Sequence, residues 1–143
     1  MALPEPVPGL VISYEYLWRH DHDRKRMEAA KTRPCVVVVR IHRQDERLLV
    51  AVSPITHRQP DPATPSLEVP PRVKRRLGLD SQRSWAVLNE LNEFAWPGFD
   101  LRPVPGSPGC FEYGHLPPKL FARMVGLIGE AWRGPGGAIV PRG

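Results

Sequence analysis

The chain has 143 residues, a formal charge of +5, a pI near 9.7 and 41% hydrophobic residues. That is the length of one domain with a core of its own, read as 1–143 with its core over about 9–132 and loose tails at 1–8 and 134–143. Eighteen prolines and twelve glycines argue against a helical bundle and for a loop-rich, strand-based fold, and the basic balance suits a polyanionic partner such as nucleic acid. Cys35 and Cys110 are the only cysteines and stand in no C-x-x-C pattern. This excludes a zinc ribbon or a disulfide scaffold and fits a reduced, cytoplasmic protein. The N-terminus lacks the basic and apolar segments of a signal peptide. No apolar run approaches the roughly 20 residues that span a bilayer, so no membrane is expected.

In chain order, residues 9–16 alternate as a strand, with Val11, Ser13 and Glu15 on one face and Leu10, Ile12, Tyr14 and Tyr16 on the other. The charged stretch 19–26 and residues 27–31 make a long exposed loop with room for one helical turn. Residues 32–39 and 50–57 are apolar, β-branched runs of strand length, and the polar stretch 41–47 between them suits a hairpin tip. Cys35, inside the valine run, reads as a small buried apolar residue.

Turn chemistry fills 58–66, and a short strand at 67–69 is stopped by Pro70 and Pro71. Residues 71–79 fit a short helix with proline at its start and Gly78 as its C-terminal cap. One or two strands follow over 84–96, broken by Pro97 and Gly98, and 102–110 is again rich in proline and glycine. The strongest helix runs from 117 to 132, where Leu120, Met124, Leu127, Ile128 and Ala131 recur at helical spacing. This order predicts a mainly β, α+β fold. It describes a small half-open barrel, because the spacing of a parallel βαβ sheet is missing.

Arg33 opens the first run of the central hairpin and Thr56 closes the second. Folding the hairpin about the Gln44–Asp45 bond places them opposite each other at its open end, to within the one-residue shift of a bulge. A guanidinium beside a hydroxyl is a starting point for a phosphate-handling site.

Several segments together resemble the MazF/PemK toxins of type II toxin–antitoxin systems. They are the first strand from Gly9, the charged loop, Arg33-Pro34 followed by valines, Ser53-Pro54-Ile55-Thr56, and a later strand ending in Trp96. Glu68-Val69-Pro70, Lys74 to Asp80, Ser84-Trp85, and Trp96 to Pro103 resemble a PemK-like subgroup, so that the likeness covers about 9–132. The resemblance implies an SH3-like small β-barrel of MazF/PemK/CcdB type with a C-terminal helix. It also implies a homodimer, a metal-independent endoribonuclease acting on single-stranded RNA, and a cognate antitoxin protein that blocks the RNA groove. Arg33 stands where the family has its catalytic arginine and Thr56 where it has its site threonine. Many relatives carry an Asp-Gln pair where this chain has Asn89-Glu90, so the carboxylate has moved or is absent.

RNA cleavage without a metal needs a base for the 2′-hydroxyl, an acid for the leaving 5′-oxygen and a cation for the phosphorane. Arg33 suits the cation's role, because its planar fork grips two phosphate oxygens and stays charged. Thr56 offers a hydroxyl. Glu90 is the carboxylate nearest the expected position. His57 adjoins Thr56 and faces the opposite way if the strand persists, while His20 and His22 stand in the first charged loop. The clusters Arg24-Lys25-Arg26 and Lys74-Arg75-Arg76 are candidates to guide the RNA backbone. Ser53 shares Thr56's strand but lies three residues away, on the other face. Trp85, Phe94 and Trp96 read as core before they read as base-stacking groups. No metal site or cofactor is expected. The rival reading is a non-catalytic barrel of the same fold that inhibits a protein target such as gyrase or binds nucleic acid without cutting it.

Overall fold

The computed structural model describes residues 3–23, 31–42, 47–98, 100–133 and 137–142, with the side chains of His22 and Asp23 outside that set. The elements run β1 (Leu10–Tyr16), α1 (Arg19–Asp23), β2 (Lys31–His42), β3 (Leu48–Thr56), β4 (Ser66–Glu68), α2 (Pro71–Arg76), β5 (Trp85–Val87), β6 (Glu90–Ala95), β7 (Glu112–His115), α3 (Pro118–Arg133) and β8 (Ala138–Pro141). Strand order is β4-β5-β3-β2-β1-β7, with β6 pairing β3 and β8. Among the described strands only β6–β8 is parallel. The curled antiparallel half-barrel with its C-terminal helix is the mainly β, α+β barrel that the sequence predicts.

Strand β3 holds the barrel together because it serves three neighbours. Along one edge it pairs with β2; along the other it pairs with β6 over Leu49 to Val52 and then with β5 at Ile55 and Thr56. The handover falls at Pro54, where proline has no ladder hydrogen to offer. Both faces of the sheet are buried. One carries Val11, Val36, Ala51 and Leu91 against Val73 and Leu77 at α2 and Met124 of α3. The other packs Ile12, Tyr14, Cys35, Val37 and Val52 against Phe94 and Leu101. Helix α3 turns Met124 inward, and its Trp132 donates from Nε1 to the Leu88 carbonyl at 2.9 Å. Gly78, at φ +71°, closes α2 in the left-handed conformation that glycine adopts without strain.

The described parts of the expected loose tails, 3–8 and 137–142, are built into the fold. Val140 of β8 is 2% exposed, the Arg142 N–H donates to the Glu93 carbonyl at 2.8 Å, and the Arg142 side chain meets Asp100 at 3.0 Å. At the other end Pro6 is buried, Val7 packs on the second cluster and Glu5 pairs with Arg40 at 3.1 Å. A short segment whose partner strand lies far upstream carries no local sign of pairing. Strand β7 goes unannounced for the same reason, since Glu-Tyr-Gly-His has no apolar alternation. Val140→Asp therefore lowers stability by about 3 kcal/mol or more, the cost of an unpaired buried charge, in urea unfolding. Val125→Asp, at a 43% exposed position on α3, stays within about 0.5 kcal/mol of the parent. Equal effects would mean that β8 is not part of the cooperative core.

Candidate active site

The site begins where the β2–β3 ladder ends. The pairs Cys35–Pro54, Val36–Ser53 and Val37–Val52 are in register, and the next is Val39–Ala51, so Val38 is a bulge on the tip side. Extending the inner register by two residues sets Arg33 opposite Thr56, as the hairpin geometry predicts. No ladder pair forms there. Ser13, opposite Pro34, directs its N–H to Phe111 and its carbonyl to Arg102, both away from β2. Pro34 therefore turns its nitrogen toward β3, where it has no hydrogen to give. Arg33 pairs instead with Tyr14 of β1, and Thr56 with Trp85 of β5. The strands part, and two hollows of about 780 Å³ and about 350 Å³ share Arg33, Thr56 and His57 along their common rim.

Arg33 lies over the Trp18 ring at 5.1 Å, and its Nε is buried with no hydrogen-bond partner. Among the described residues no carboxylate pairs with it. Trp18 is held by a buried clamp: Asn92, fully buried, accepts from the Leu17 N–H at 2.9 Å and donates to the Leu17 carbonyl at 2.8 Å. The Thr56 hydroxyl oxygen accepts from the Arg58 N–H at 3.2 Å, which leaves its own hydrogen for another acceptor.

Glu90 lines the larger hollow, and its Oε1 accepts from the Tyr16 hydroxyl and the Arg19 N–H, both at 3.0 Å. Burial pushes its carboxyl above the ordinary value of 4.5, against the opposing pull of those two donors. Asn89 also lines this hollow, and its carbonyl accepts from the Ala138 N–H of β8 at 3.1 Å. His57 joins Thr56 at the rim, because β3 ends at Thr56 and the alternation that would turn it away stops there. Its Nε2 stands 2.6 Å from Asp80 Oδ2. His20 lines the larger hollow and pairs with Asp21 at 3.4 Å.

Other predicted residues fall elsewhere. Ser53 is fully buried and donates to the Val87 carbonyl at 2.7 Å, so it supports the wall behind the site and presents nothing to a ligand. Lys74 is not a surface cation: it is 3% exposed, and its ammonium meets Asp80 and Ser84 at 2.7 Å each and also the Gln82 carbonyl. The cluster divides because Lys74 lies beside Val73 on the buried face of α2, while Arg75 and Arg76 turn on to solvent outside both hollows. Arg24, Lys25, Arg26 and the side chain of His22 lie outside the described residues. Trp85 and Phe94 are core, with Phe94 stacked on Tyr14 at 4.5 Å. Trp18, Lys31 and Arg58 line the larger hollow and were not singled out from sequence. Lys31 and Arg58 flank the Arg33 and Thr56 segments closely enough for spacing to have found them. Trp18 gave no such signal.

Among the described residues no three metal-ligating side chains stand together, and no helix is long and apolar enough to cross a membrane. No protein-family model matches the chain, and no curated protein matches it at a significant level.

The raised Glu90 value has a sign. Its protonated form suits the fold, so that contribution is complete below pH 4.5 and is lost as pH rises through the folded value. Glu90→Gln keeps an acceptor for Tyr16 and Arg19 without the buried charge. Its Tm at pH 7 exceeds that of the parent, and the gap closes toward pH 4. A gap that does not change with pH would show that Glu90 bears no such penalty.

Proposed function

We propose that this protein is a metal-independent endoribonuclease that cleaves single-stranded RNA, acting as the toxin of a toxin–antitoxin pair. The observation that carries the reading is Arg33: a guanidinium stacked on Trp18, its Nε buried without a partner, opposite Thr56 at the parting of two strands. An unsatisfied buried donor costs about 1–3 kcal/mol, and the same side chain lines both hollows, where its fork can meet a phosphate. The MazF/PemK likeness supports the same assignment, because it independently puts site residues at Arg33 and Thr56.

In this reading Arg33 and the Thr56 hydroxyl hold the scissile phosphate, and Arg33 stabilises the charge that builds on the phosphorane. Glu90, as carboxylate, takes the proton of the 2′-hydroxyl. The 2′-oxygen bonds to phosphorus, the bond from phosphorus to the 5′-oxygen breaks, and protonated His57 gives that oxygen a proton. The products are a 2′,3′-cyclic phosphate and a 5′-hydroxyl. Lys31 and Arg58 draw the neighbouring phosphates along the larger hollow. A cognate antitoxin and a second copy of the chain are the protein partners, the antitoxin by covering this groove. The presence of Glu90 in the groove favours catalysis over a barrel that only binds, since it supplies the carboxylate that Asn89 lacks.

Purified protein incubated with single-stranded RNA in EDTA yields fragments with cyclic phosphate and 5′-hydroxyl ends. Arg33→Ala lowers the rate at least about 100-fold with the far-ultraviolet circular dichroism unchanged. Arg33→Lys recovers little, because an ammonium lacks the planar fork. Absence of cleavage, or cleavage undiminished in Arg33→Ala, overturns the reading.

A further inference from the structure

We propose that Asp80 and Lys74 are positioning residues that set the tautomer of His57, and thereby make Nδ1 the nitrogen that exchanges a proton with the substrate. The proposal rests on the RNA-cleaving reading for its chemistry, but its geometry stands apart from it. Along the smaller hollow runs a chain of polar groups from the core to the rim. Ser84 Oγ and the Gln82 carbonyl meet Lys74 Nζ; Nζ meets Asp80 Oδ1 at 2.7 Å; Asp80 Oδ2 meets His57 Nε2 at 2.6 Å. The Gln82 N–H also donates to Asp80 Oδ1 at 3.1 Å.

The direction of this chain follows from what each group can do. An ammonium has three hydrogens and no lone pair, so Lys74 only donates. Together with the Gln82 N–H it claims Oδ1 as an acceptor. Those contacts also lower the Asp80 carboxyl below its ordinary value, the Lys74 hydrogen bond foremost. An ionised carboxylate only accepts, so its free oxygen Oδ2 requires a hydrogen on His57 Nε2. The neutral ring then carries its lone pair on Nδ1. In the imidazolium, Nδ1–H is the proton not held by Asp80, and it is the one given to the departing 5′-oxygen. Lys74 is 3% exposed and pinned from three sides, so it cannot swing away and release Asp80.

Asp80→Asn tests this, because Lys74 and the Gln82 N–H dictate how the new amide sits. Both are donors, so the amide oxygen turns to them and the NH₂ faces His57 Nε2, which must then accept. The ring switches to the Nδ1–H form, and the Nε2–H ring that donation of the Nδ1 proton must leave behind is no longer supported. Imidazole ¹⁵N spectra, with His57 assigned by its loss in His57→Gln, show an Nε2–H ring in the parent and an Nδ1–H ring in Asp80→Asn. RNA cleavage falls on the order of 100-fold or more with the fold retained. Asp80→Glu, which can only accept, restores the Nε2–H ring and part of the rate.

An Nδ1–H ring in the parent overturns the proposal without any variant. So does an unchanged tautomer in Asp80→Asn, or undiminished cleavage. A tautomer switch in a protein that cuts no RNA leaves the positioning intact and removes the RNA-cleaving reading instead.

Discussion

The structure depends on where one β-ladder stops. Strands β2 and β3 are neighbours for most of their length, and the valines between them supply much of both core clusters. Past Cys35 and Pro54 the pairing ends, because Pro34 faces β3 without a hydrogen. Each strand then satisfies its backbone on its other side, β2 with β1 and β3 with β5. Separation therefore leaves few backbone groups unpaired, and it opens a cleft whose lips carry Arg33 and Thr56. A residue with a full ladder at Pro34 would close the cleft at its root.

Around this cleft the molecule retains polar groups that a stability-optimised fold would discard. Glu90 is buried enough to resist ionisation, Arg33 keeps an unpartnered Nε, and Lys74 is sunk into the wall. Each costs free energy, and they gather around two adjoining hollows. Perturbed and unsatisfied groups that collect in a cleft make it a candidate functional site. The surrounding scaffold is tied together by buried contacts. Asn92 clamps Leu17 from within the core, Tyr16 packs edge-on against Trp18 at 5.2 Å, and Trp18 in turn carries the guanidinium.

Much of the architecture could be read from local patterns. The hairpin register was legible because the two apolar runs and the polar tip leave one reasonable centre, and the bulge at Val38 lies on the tip side of the site. Helix α3 was legible from its apolar repeat, and α2 from its proline start and glycine stop. Strands β7 and β8 were not, since their reason to be extended lies in distant partners. Lys74 was misread because a run of three cations looks like a solvated face, and only the position of Asp80, Gln82 and Ser84 reveals which one turns inward. The direction of His57 hinges on where β3 stops: the strand ends at Thr56, so the alternation that would turn His57 away does not reach it.

By itself the sequence determined the class of fold, the hairpin, and the placing of Arg33 across from Thr56 at its open end. These follow from periodicity, proline and glycine placement, and counting along one chain. The tertiary structure alone decided which polar residues share a space: Glu90 with Arg33, Trp18 beneath the guanidinium, and Asp80 between Lys74 and His57. Apart from Lys74 and Asp80, six residues apart, those neighbours come from segments distant in sequence. Their protonation and orientation arise from mutual burial and hydrogen bonding, which no local pattern of residues encodes.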